Sequence, residues 1–283
     1  MARCPVCFHH CTLTEGQYGL CQARQCVDGE VVPANYGRIT SLALDPIEKK
    51  PLAEFHPGSL ILSAGSYGCN LRCPFCQNYE ISYDAPSVTG FRTSAEVWTP
   101  QELADAAWEL IPRGNIGLAF TYNEPLTGYE FVRDTARLVR EKGMVTVLVT
   151  NGTAEPEIEE ALLPWISAMN VDLKAFSERF YSDLIGGDLQ TVLHFIERAA
   201  QVCHVEVTTL VIPGENDSPE EIAALAQWLS GVEARTGRRI PLHLTRFFPR
   251  YRMKDRPATD TALMHRLADA AAPYLSSVYL GNM

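Results

Sequence analysis

Segments typical of strands and of helices alternate along most of this chain. Apolar runs rich in β-branched residues predict strands at 60–66, 116–122, 145–150, 169–174, 205–212 and 240–245. Amphipathic patterns predict helices at 100–112, 126–142, 155–167, 189–202, 219–235 and 260–273. Strands that alternate with helices form parallel sheets with helical crossovers. The sequence therefore predicts an α/β fold of six βα units, fewer than the eight that close a full TIM barrel.

Two of the predicted helices have well-marked starts. Residues 99–102 (Thr-Pro-Gln-Glu) and 218–221 (Ser-Pro-Glu-Glu) each place a hydroxyl at the N-cap, proline at the first helical position and glutamate at the third. These two tetrapeptides predict where the helices at 100–112 and 219–235 begin.

A compact loop after the first predicted strand carries three cysteines with the spacing Cys69-x3-Cys73-x2-Cys76. Cysteine thiolates hold iron–sulfur clusters, and a cluster of four irons normally takes four of them. Three thiolates would leave one iron free to bind a small molecule directly. Zinc fits this spacing poorly, because a closed structural zinc site needs four tetrahedral ligands. Reduced structural cysteines or an ordinary metal knuckle are the alternative interpretation.

The CxxxCxxC spacing, with the aromatic Phe75 before the last cysteine, resembles that of the radical S-adenosylmethionine enzymes. Within them the chain is similar to the pyruvate formate-lyase activating enzyme group, in the branch found beside Memo and AMMECR1 homologues. The resemblance implies a [4Fe-4S] cluster on these three cysteines, with its open iron chelated by S-adenosylmethionine. One electron from the cluster then releases a 5′-deoxyadenosyl radical, which abstracts hydrogen from a substrate.

The same resemblance implies an open, partial (β/α)6 TIM-like barrel, and the count of six units agrees with it. Residues 1–55 form the predicted small Cys-rich N-terminal extension, and residues 56–283 form the predicted radical S-adenosylmethionine partial barrel. In βα barrels the chemistry collects at the carboxyl ends of the strands. Polar residues follow the predicted strands at those ends here, which places the expected site there.

The fourth predicted strand carries an unusual polar pattern. Side chains alternate faces along a strand, so Asn170, Asp172 and Lys174 point one way, and Val171 and Leu173 point the other way. The apolar pair should pack under the helices, which leaves the polar side chains inside the barrel. Buried charges are costly unless they are paired or ligated. An internal Asp172–Lys174 ion pair is one account, and the resemblance implies another, in which both contact S-adenosylmethionine.

Glu124 follows the second predicted strand in the run Tyr-Asn-Glu-Pro, residues 122–125. It matches the glutamate of the family's Gly-Gly-Glu element, which holds the amino group of the cofactor. Tyr122 and Asn123 replace the two glycines, which removes freedom for a close approach of the backbone. The Memo-associated branch carries this form of the element. The alternative for Glu124 is a surface turn residue before Pro125.

The resemblance also implies further cofactor contacts. Phe75 would lie beside the adenine, with Gln77 and Asn78 next along the loop and Asn123 beside Glu124. Thr150 matches a threonine that helps to bind a monovalent cation near the cofactor, although Val149 replaces the aspartate before it. No side chain beyond those holding the cluster and the cofactor is assigned a catalytic role.

Five more cysteines lie in the first 30 residues: Cys4, Cys7, Cys11, Cys21 and Cys26. The first four match cysteines at the start of the resembling family, and Cys26 is extra. Two short pairs separated by a loop are typical of a zinc knuckle. The sequence predicts a second metal site here and favours zinc over an auxiliary iron–sulfur cluster or unliganded thiols.

Composition narrows the class of protein and its surroundings. The net charge is −10 and no long basic run occurs, which argues against a nucleic-acid partner. No apolar stretch approaches the roughly 20 residues of a membrane helix, and the N-terminus lacks a signal-peptide core. Grouped cysteines without a secretion signal predict reduced thiols and a cytoplasmic location.

Three functions are compatible with these features. The first is activation of a glycyl radical enzyme by hydrogen abstraction from a backbone glycine, with flavodoxin or ferredoxin as the low-potential electron donor. The second is radical chemistry on a small molecule or a side chain, and the third is a non-enzymatic metal-binding scaffold.

Four further residues have simpler interpretations. His243 is interpreted as a packing residue, and Arg246 and Arg250 are interpreted as solvated arginines that could meet a substrate carboxylate. Cys203 has no assigned role.

Overall fold

The computed structural model describes residues 1–283, apart from the side chain of Ala85. Most of its regular structure is an alternation of strands and helices. The strands are β1 Ala2–Arg3, β2 Thr12–Leu13, β3 Arg24–Val27, β4 Glu30–Pro33, β5 Arg38–Ile39, β6 Ser41–Pro46, β7 Leu60–Gly65, β8 Glu96–Val97, β9 Asn115–Phe120, β10 Val145–Thr150, β11 Ala168–Asp172, β12 His204–Val211, β13 Leu242–Arg246 and β14 Val278–Gly281.

The helices lie between these strands. They are α1 Tyr79–Ser82, α2 Ala85–Ser94, α3 Pro100–Glu109, α4 Tyr129–Glu141, α5 Pro156–Leu162, α6 Leu189–Val202, α7 Pro219–Thr236 and α8 Thr261–Ala271. Short 3-10 turns occur at Ile47–Lys49, Ile111–Arg113, Pro125–Gly128 and Leu163–Trp165, and a π-helical turn occurs at Phe180–Ile185. No helix in the described part of the chain combines the length and apolarity needed to cross a membrane.

One eight-stranded sheet organises the fold, with the strand order β14-β13-β12-β11-β10-β9-β7-β6. Strands β7 and β9–β14 are parallel, and β6 pairs with β7 in the antiparallel sense. β14 and β6 are the edge strands of this sheet, so the sheet stays open rather than closing into a ring. The α/β fold class and the partial TIM-like barrel predicted from the sequence are confirmed.

All six predicted core strands are present, and the sheet has two further members that were not among those six. These are the short parallel strand β14 and the antiparallel edge strand β6. Because β6 lies within residues 1–55, part of the predicted N-terminal extension is hydrogen-bonded directly to the first core strand. The division at residue 55 stays a prediction.

Alternation along the strands separates the core from the barrel interior. In β11 and the residue after it, Val171 and Leu173 are fully buried in the main hydrophobic cluster against the helices. In α4, Phe131, Val132, Ala136 and others form the matching apolar stripe. This packing leaves the opposite faces of the strands to line the inside of the barrel.

Candidate active site

A cavity of about 860 Å³ lies inside the barrel. It begins at the loop after β7, runs past residues at the carboxyl ends of β9–β14 and ends at residues 45–53, beside the start of β7. The three loop cysteines Cys69, Cys73 and Cys76 line one end of it. Among the described residues of its wall, no other cysteine occurs. The three cysteines that the sequence spacing groups together therefore line one end of the same cavity.

The thiols of this trio sit in different surroundings. Cys73 is buried, and Cys69 and Cys76 are partly exposed. The backbone amide of Leu71 and the side-chain amide of Asn151 approach the Cys69 Sγ atom at 3.5 and 3.9 Å. Such N–H donors favour the ionised form of the sulfur, which is the form that binds iron.

Without a bound group, the trio favours neutral thiols. Burial raises the pKa of Cys73 to about 12, even though the Lys174 ammonium lowers it. Burial also raises the pKa of Cys69 and of Cys76. Metal ligands must be deprotonated, so loading a cluster here must release protons. Three soft sulfur donors facing one cavity with free space beyond them fit a [4Fe-4S] cluster with one open iron.

The N-terminal segment packs directly on the cysteine loop and braces it. The Cys69 backbone amide donates to the Cys21 carbonyl at 3.2 Å, and the His9 ring bonds to the Asn70 carbonyl at 2.8 Å. Gly68 adopts a φ of +98°, and a Cβ there would lie 2.6 Å from Ala23. Only glycine allows this close, left-handed approach. The Cys-rich segment thus sets the position of the loop.

Asp172 and Lys174 both line the cavity, as their alternation along the strand predicts. The Lys174 Nζ atom lies 2.9 Å from an Asp172 carboxylate oxygen. Burial lowers the pKa of Lys174, but the nearby Asp172 carboxylate and Cys73 together raise it by more than burial lowers it. The pKa of Lys174 therefore lies above its usual range. The Lys174 ammonium therefore stays charged, and the pair faces the same space as the cysteine trio. The structure satisfies the internal ion pair and also presents it to a ligand.

Glu124 is buried, so its interpretation as a surface turn residue is wrong. Its carboxylate accepts hydrogen bonds from the Thr150 hydroxyl at 2.6 Å and from the amides of Asn151 and Leu126 at 2.8 and 3.0 Å. Burial raises the pKa of Glu124 to about 7 despite these bonds. The side chain joins the ends of β9 and β10, and it lines the cavity.

Tyr122 keeps a glycine-like backbone without being glycine. Its φ is +74°, in the left-handed region that side chains other than glycine, asparagine and aspartate rarely adopt. Gly65 makes room for it, because a Cβ at residue 65 would lie 2.7 Å from the Tyr122 ring. The tyrosine hydroxyl donates to Asp45 at 2.7 Å across the cavity. The replacement of glycine therefore changes the wall of the cavity more than the path of the backbone.

The other predicted cofactor residues divide into two groups. Phe75, Gln77, Asn78 and Asn123 line the cavity. Asn123 also braces the loop, because its side chain bonds to the Ser66 amide and the Gly68 carbonyl. Thr150 lies behind Glu124 and outside the cavity wall, so the structure gives it a supporting position. Their contacts with a cofactor stay predictions.

The second metal site predicted at the N-terminal cysteines is not supported. Cys4, Cys7, Cys11 and Cys21 do line one small cavity, but Cys26 is buried in β3 away from it. Within the described residues, no three histidine, cysteine or acidic side chains are arranged around a point that one ion could occupy. Neither zinc nor an auxiliary cluster follows from this arrangement, and the four cysteines instead contribute to packing under the cysteine loop.

Several residues of the cavity wall went unrecognised in the sequence. Asp45, Lys50, Thr208 and Tyr279 line the cavity, and so does His243, which was interpreted as a packing residue. Strand alternation extended through β12 to β14 would have found three of these five. Arg246 is outside the wall and donates to the Thr259 carbonyl at 2.6 Å. Arg250 is exposed, and Cys203 is buried between α6 and β12.

Comparisons with known proteins agree with this site. The sequence profile of the Radical SAM superfamily matches residues 64–226. The chain is 37% identical over 283 residues to uncharacterized protein MJ0808 of Methanocaldococcus jannaschii, covering 99% of this chain and 81% of that one. It is 27% identical over 167 residues to the pyruvate formate-lyase 1-activating enzyme of Escherichia coli K12, covering 57% of this chain and 65% of that one.

Solved structures share the fold. A domain of a pyruvate-formate lyase-activating enzyme from Bacteroides vulgatus superposes with a TM-score of 0.51 at 18% identity, over 59% of this chain and 99% of that one. Streptococcus suis SuiB bound to S-adenosylmethionine gives 0.56 at 13% identity, over 76% and 48% of the two chains. The profile match covers more than half of the chain and includes the cysteine trio, Glu124 and the Asp172–Lys174 pair. The chain belongs to the radical S-adenosylmethionine superfamily, which implies a [4Fe-4S] cluster and S-adenosylmethionine as its cofactors.

Proposed function

We propose that this protein is an enzyme that cleaves S-adenosylmethionine reductively and removes hydrogen from a substrate. The observation that carries the proposal is that Cys69, Cys73 and Cys76 all line one cavity whose described wall holds no further cysteine. A scaffold protein would not need an incomplete ligand set that faces open space. When bound, the cluster and cofactor supply one electron and a 5′-deoxyadenosyl radical that takes a hydrogen atom from a C–H bond.

The side chains around the trio would hold the cofactor by its polar groups. Asp172 can accept hydrogen bonds from ribose hydroxyls, and Lys174 can donate to the methionine carboxylate, because both face the cavity beside the cysteines. Phe75 and its neighbours Gln77 and Asn78 would border the adenine. Asn123 and Glu124 would lie near the amino group. Thr150 would act indirectly, by fixing the Glu124 carboxylate.

We further propose a cytoplasmic location and reduction by a flavodoxin or ferredoxin. Both follow from the oxygen-sensitive, low-potential chemistry of the superfamily and from the nine reduced cysteines of the chain. Partial exposure of Cys69 and Cys76 supports electron entry from the side of the loop.

The test is product formation under anaerobic conditions. Reconstituted protein with dithionite and S-adenosylmethionine should form 5′-deoxyadenosine, measured by liquid chromatography and mass spectrometry. Cys73→Ala should lose both the cluster absorbance and the product. Cys203→Ala is the matched control, since Cys203 is buried far from the cavity, and it should keep both. A wild-type protein with a full cluster and no product would refute the proposal.

The substrate of the abstracted hydrogen has two candidates. Activation of a glycyl radical protein is supported by relatives named as pyruvate formate-lyase and benzylsuccinate synthase activating enzymes. Mixing the loaded enzyme with candidate proteins should then give a glycine-centred doublet in electron paramagnetic resonance spectra. A small-molecule substrate is the second candidate, and the polar far end of the cavity favours it.

A further inference from the structure

A row of polar side chains crosses four neighbouring strands inside the barrel. Asp172, Thr208, His243 and Tyr279 are successive register partners on β11, β12, β13 and β14. All four line the cavity. Register partners on parallel strands point to the same face of a sheet. The row therefore leads from Asp172, beside the cysteine trio, to the open edge of the barrel.

Thr208 in the middle of this row has an unsatisfied hydroxyl. The residue is only 7% exposed, and its Oγ1 atom has no hydrogen-bond partner in the structure. Its sequence neighbour Thr209 faces the other way and donates to the Leu173 carbonyl at 2.7 Å. Because Thr208 lines the cavity, this hydroxyl is free to bond a polar group that enters the cavity.

His243 beside it is held in one orientation. Its Nε2 atom lies 2.5 Å from a carboxylate oxygen of Glu206, and its ring stacks on Tyr279 with centroids 5.2 Å apart. The carboxylate can only accept, so Nε2 is the donor in this bond, and Nδ1 is the ring nitrogen left for another partner. Glu206 is itself fixed by the backbone amides of Ala53 and Glu54 at 2.9 and 2.8 Å.

The opposite wall carries charges of both signs. Lys50 is 1% exposed, and its Nζ atom lies 2.9 Å from Asp45 and 4.9 Å from the centre of the Tyr122 ring. Both members of this pair line the cavity. A buried lysine that meets its counter-ion at a cavity wall favours ligands with no net charge or with paired opposite charges.

Residues 47–56 close this end of the cavity. The Pro51 carbonyl accepts from Asn170, and Glu54 accepts from Ser277 and from the Tyr279 hydroxyl at 2.5 and 3.1 Å. Together with the amide contacts to Glu206, these bonds tie the segment to β11, β12 and β14. The segment therefore bounds this end of the cavity, and a ligand held beside Thr208 and His243 would lie in an enclosed space that suits a small molecule better than a protein loop.

From these contacts we infer that the end of the cavity bounded by Thr208, His243, Lys50 and Asp45 is a substrate subsite for a small, neutral or zwitterionic polar metabolite. The inference rests on the proposed radical function, because it places the substrate beside the proposed cofactor. The cavity of about 860 Å³ lies near the top of the ~300–1,000 Å³ range of small-molecule sites. The cluster and the cofactor would occupy its cysteine end, which leaves this end for a second ligand. Thr208 and His243 would hydrogen-bond the substrate directly.

Deuterium transfer tests the inference. Extract from cells of the source organism grown in deuterium oxide is divided into a low-molecular-mass fraction and a protein fraction, and each is returned to ordinary water. Each fraction is incubated anaerobically with the loaded enzyme, dithionite and unlabelled S-adenosylmethionine. Abstraction from a substrate carbon moves one deuterium to the 5′ carbon, so the mass of 5′-deoxyadenosine reports the source of the hydrogen. We expect deuterium from the low-mass fraction.

Variants locate the subsite and distinguish a failure of the proposed subsite from a failure of the proposed radical activity. Thr208→Val and His243→Gln should keep full cluster absorbance, while the deuterium incorporated per 5′-deoxyadenosine formed falls at least tenfold. Thr261→Val and His265→Gln, both exposed on α8, should behave as wild type. Ultrafiltration should show deuterated metabolites retained by the wild-type holoenzyme and released from the two subsite variants. This experiment measures substrate binding directly, without any turnover.

The outcomes are distinct. Deuterium from the protein fraction alone would overturn the small-molecule assignment and favour a glycyl radical partner. Unlabelled product with both fractions, or unchanged deuterium incorporation in both subsite variants, would also overturn it. Failure of the wild-type enzyme to form any 5′-deoxyadenosine would instead refute the proposed function beneath it.

Discussion

Replacing Glu206 by glutamine should destabilise the protein markedly, although the two side chains are almost equal in size. The Glu206 side chain is fully buried, and its two oxygens accept four hydrogen bonds. The donors are the amides of Ala53 and Glu54 and the rings of His204 and His243, at 2.5–2.9 Å. Glutamine replaces one of these accepting oxygens with an NH2 group, which faces donors instead of accepting from them.

The structure gives the size of the effect. One oxygen of Glu206 serves Glu54 and His204, and the other serves Ala53 and His243. Either orientation of the amide leaves about two buried donors facing its NH2 group. At about 1–3 kcal/mol for each unsatisfied buried donor, with partial relief by a change of histidine tautomer, the expected loss is roughly 2–4 kcal/mol. For a chain of this size that corresponds to a melting temperature lower by about 5–10 °C.

The effect should also depend on pH in a defined direction. Burial raises the pKa of Glu206, but the hydrogen bonds from His204, His243 and the two amides outweigh burial and lower it to about 2. A lowered pKa contributes stability that is present above the unfolded value of 4.5 and is lost as the pH falls toward the folded value. The gap in stability between wild type and Glu206→Gln should therefore be constant near neutral pH and shrink as the pH falls below about 4.5.

Differential scanning fluorimetry of cluster-free protein is a suitable assay, because loss of the cluster in acid then adds nothing to the transition. Glu160→Gln is the matched control, since Glu160 is exposed on α5, and its melting temperature should change by about 1 °C or less. Equal melting temperatures for wild type and Glu206→Gln at neutral pH would refute the argument from four accepted bonds. A gap that widens in acid would refute the argument from the lowered pKa.

Three further predictions concern the site. Asp172→Asn should keep full iron content and weaken S-adenosylmethionine binding by about 10–100-fold, as the loss of one charged hydrogen bond predicts. Equilibrium dialysis measures the change in affinity. An unfolded variant would instead favour a purely structural role for the ion pair. Gly65→Ala should lower the free energy of unfolding by about 1–3 kcal/mol, because its Cβ would lie 2.7 Å from the Tyr122 ring. Gly90→Ala, whose Cβ would have nothing within 4 Å, should be neutral or slightly stabilising. Equal midpoints of denaturant unfolding for the two variants would contradict the packing argument. Elemental analysis of anaerobic protein should show about four irons per chain and no stoichiometric zinc, and one zinc per chain that survives Cys73→Ala would restore the second metal site.

Local sequence was sufficient for the elements of the fold. The helix that begins at Pro100 does so behind the predicted N-cap, where Thr99 and Glu102 form a complete capping box. The Ser218 side chain accepts from the Glu221 amide in the same way at the start of α7. Caps, prolines and apolar periodicity act within a few residues, so they can be recognised from the sequence alone. The cysteine spacing can be recognised for the same reason, because three ligands within one loop need no partner distant in the sequence.

The sequence was weaker where burial depends on distant partners. β14 is short, and β6 is mostly exposed or half-buried and lacks a buried apolar face. Both become strands because the neighbouring strands of the sheet offer them hydrogen-bonding partners. Glu124 could be taken for a turn residue because nothing local shows that Thr150 and Asn151 will surround it. The N-terminal cysteines matched a zinc pattern, yet the structure gives no support for an ion there, and the segment that carries them packs against the loop at Cys69.

The chain by itself determined the βα alternation, the three-thiol loop and the polar face of β11, because each depends on residues close together in sequence. Only the tertiary structure decided that Thr208, His243 and Tyr279 extend that polar face across three more strands. It also decided that Lys50 and Asp45, far from them in sequence, close the same cavity. The physical reason is register: which strand lies beside which, and at what offset, is fixed by the packing of the whole sheet and not by any single segment.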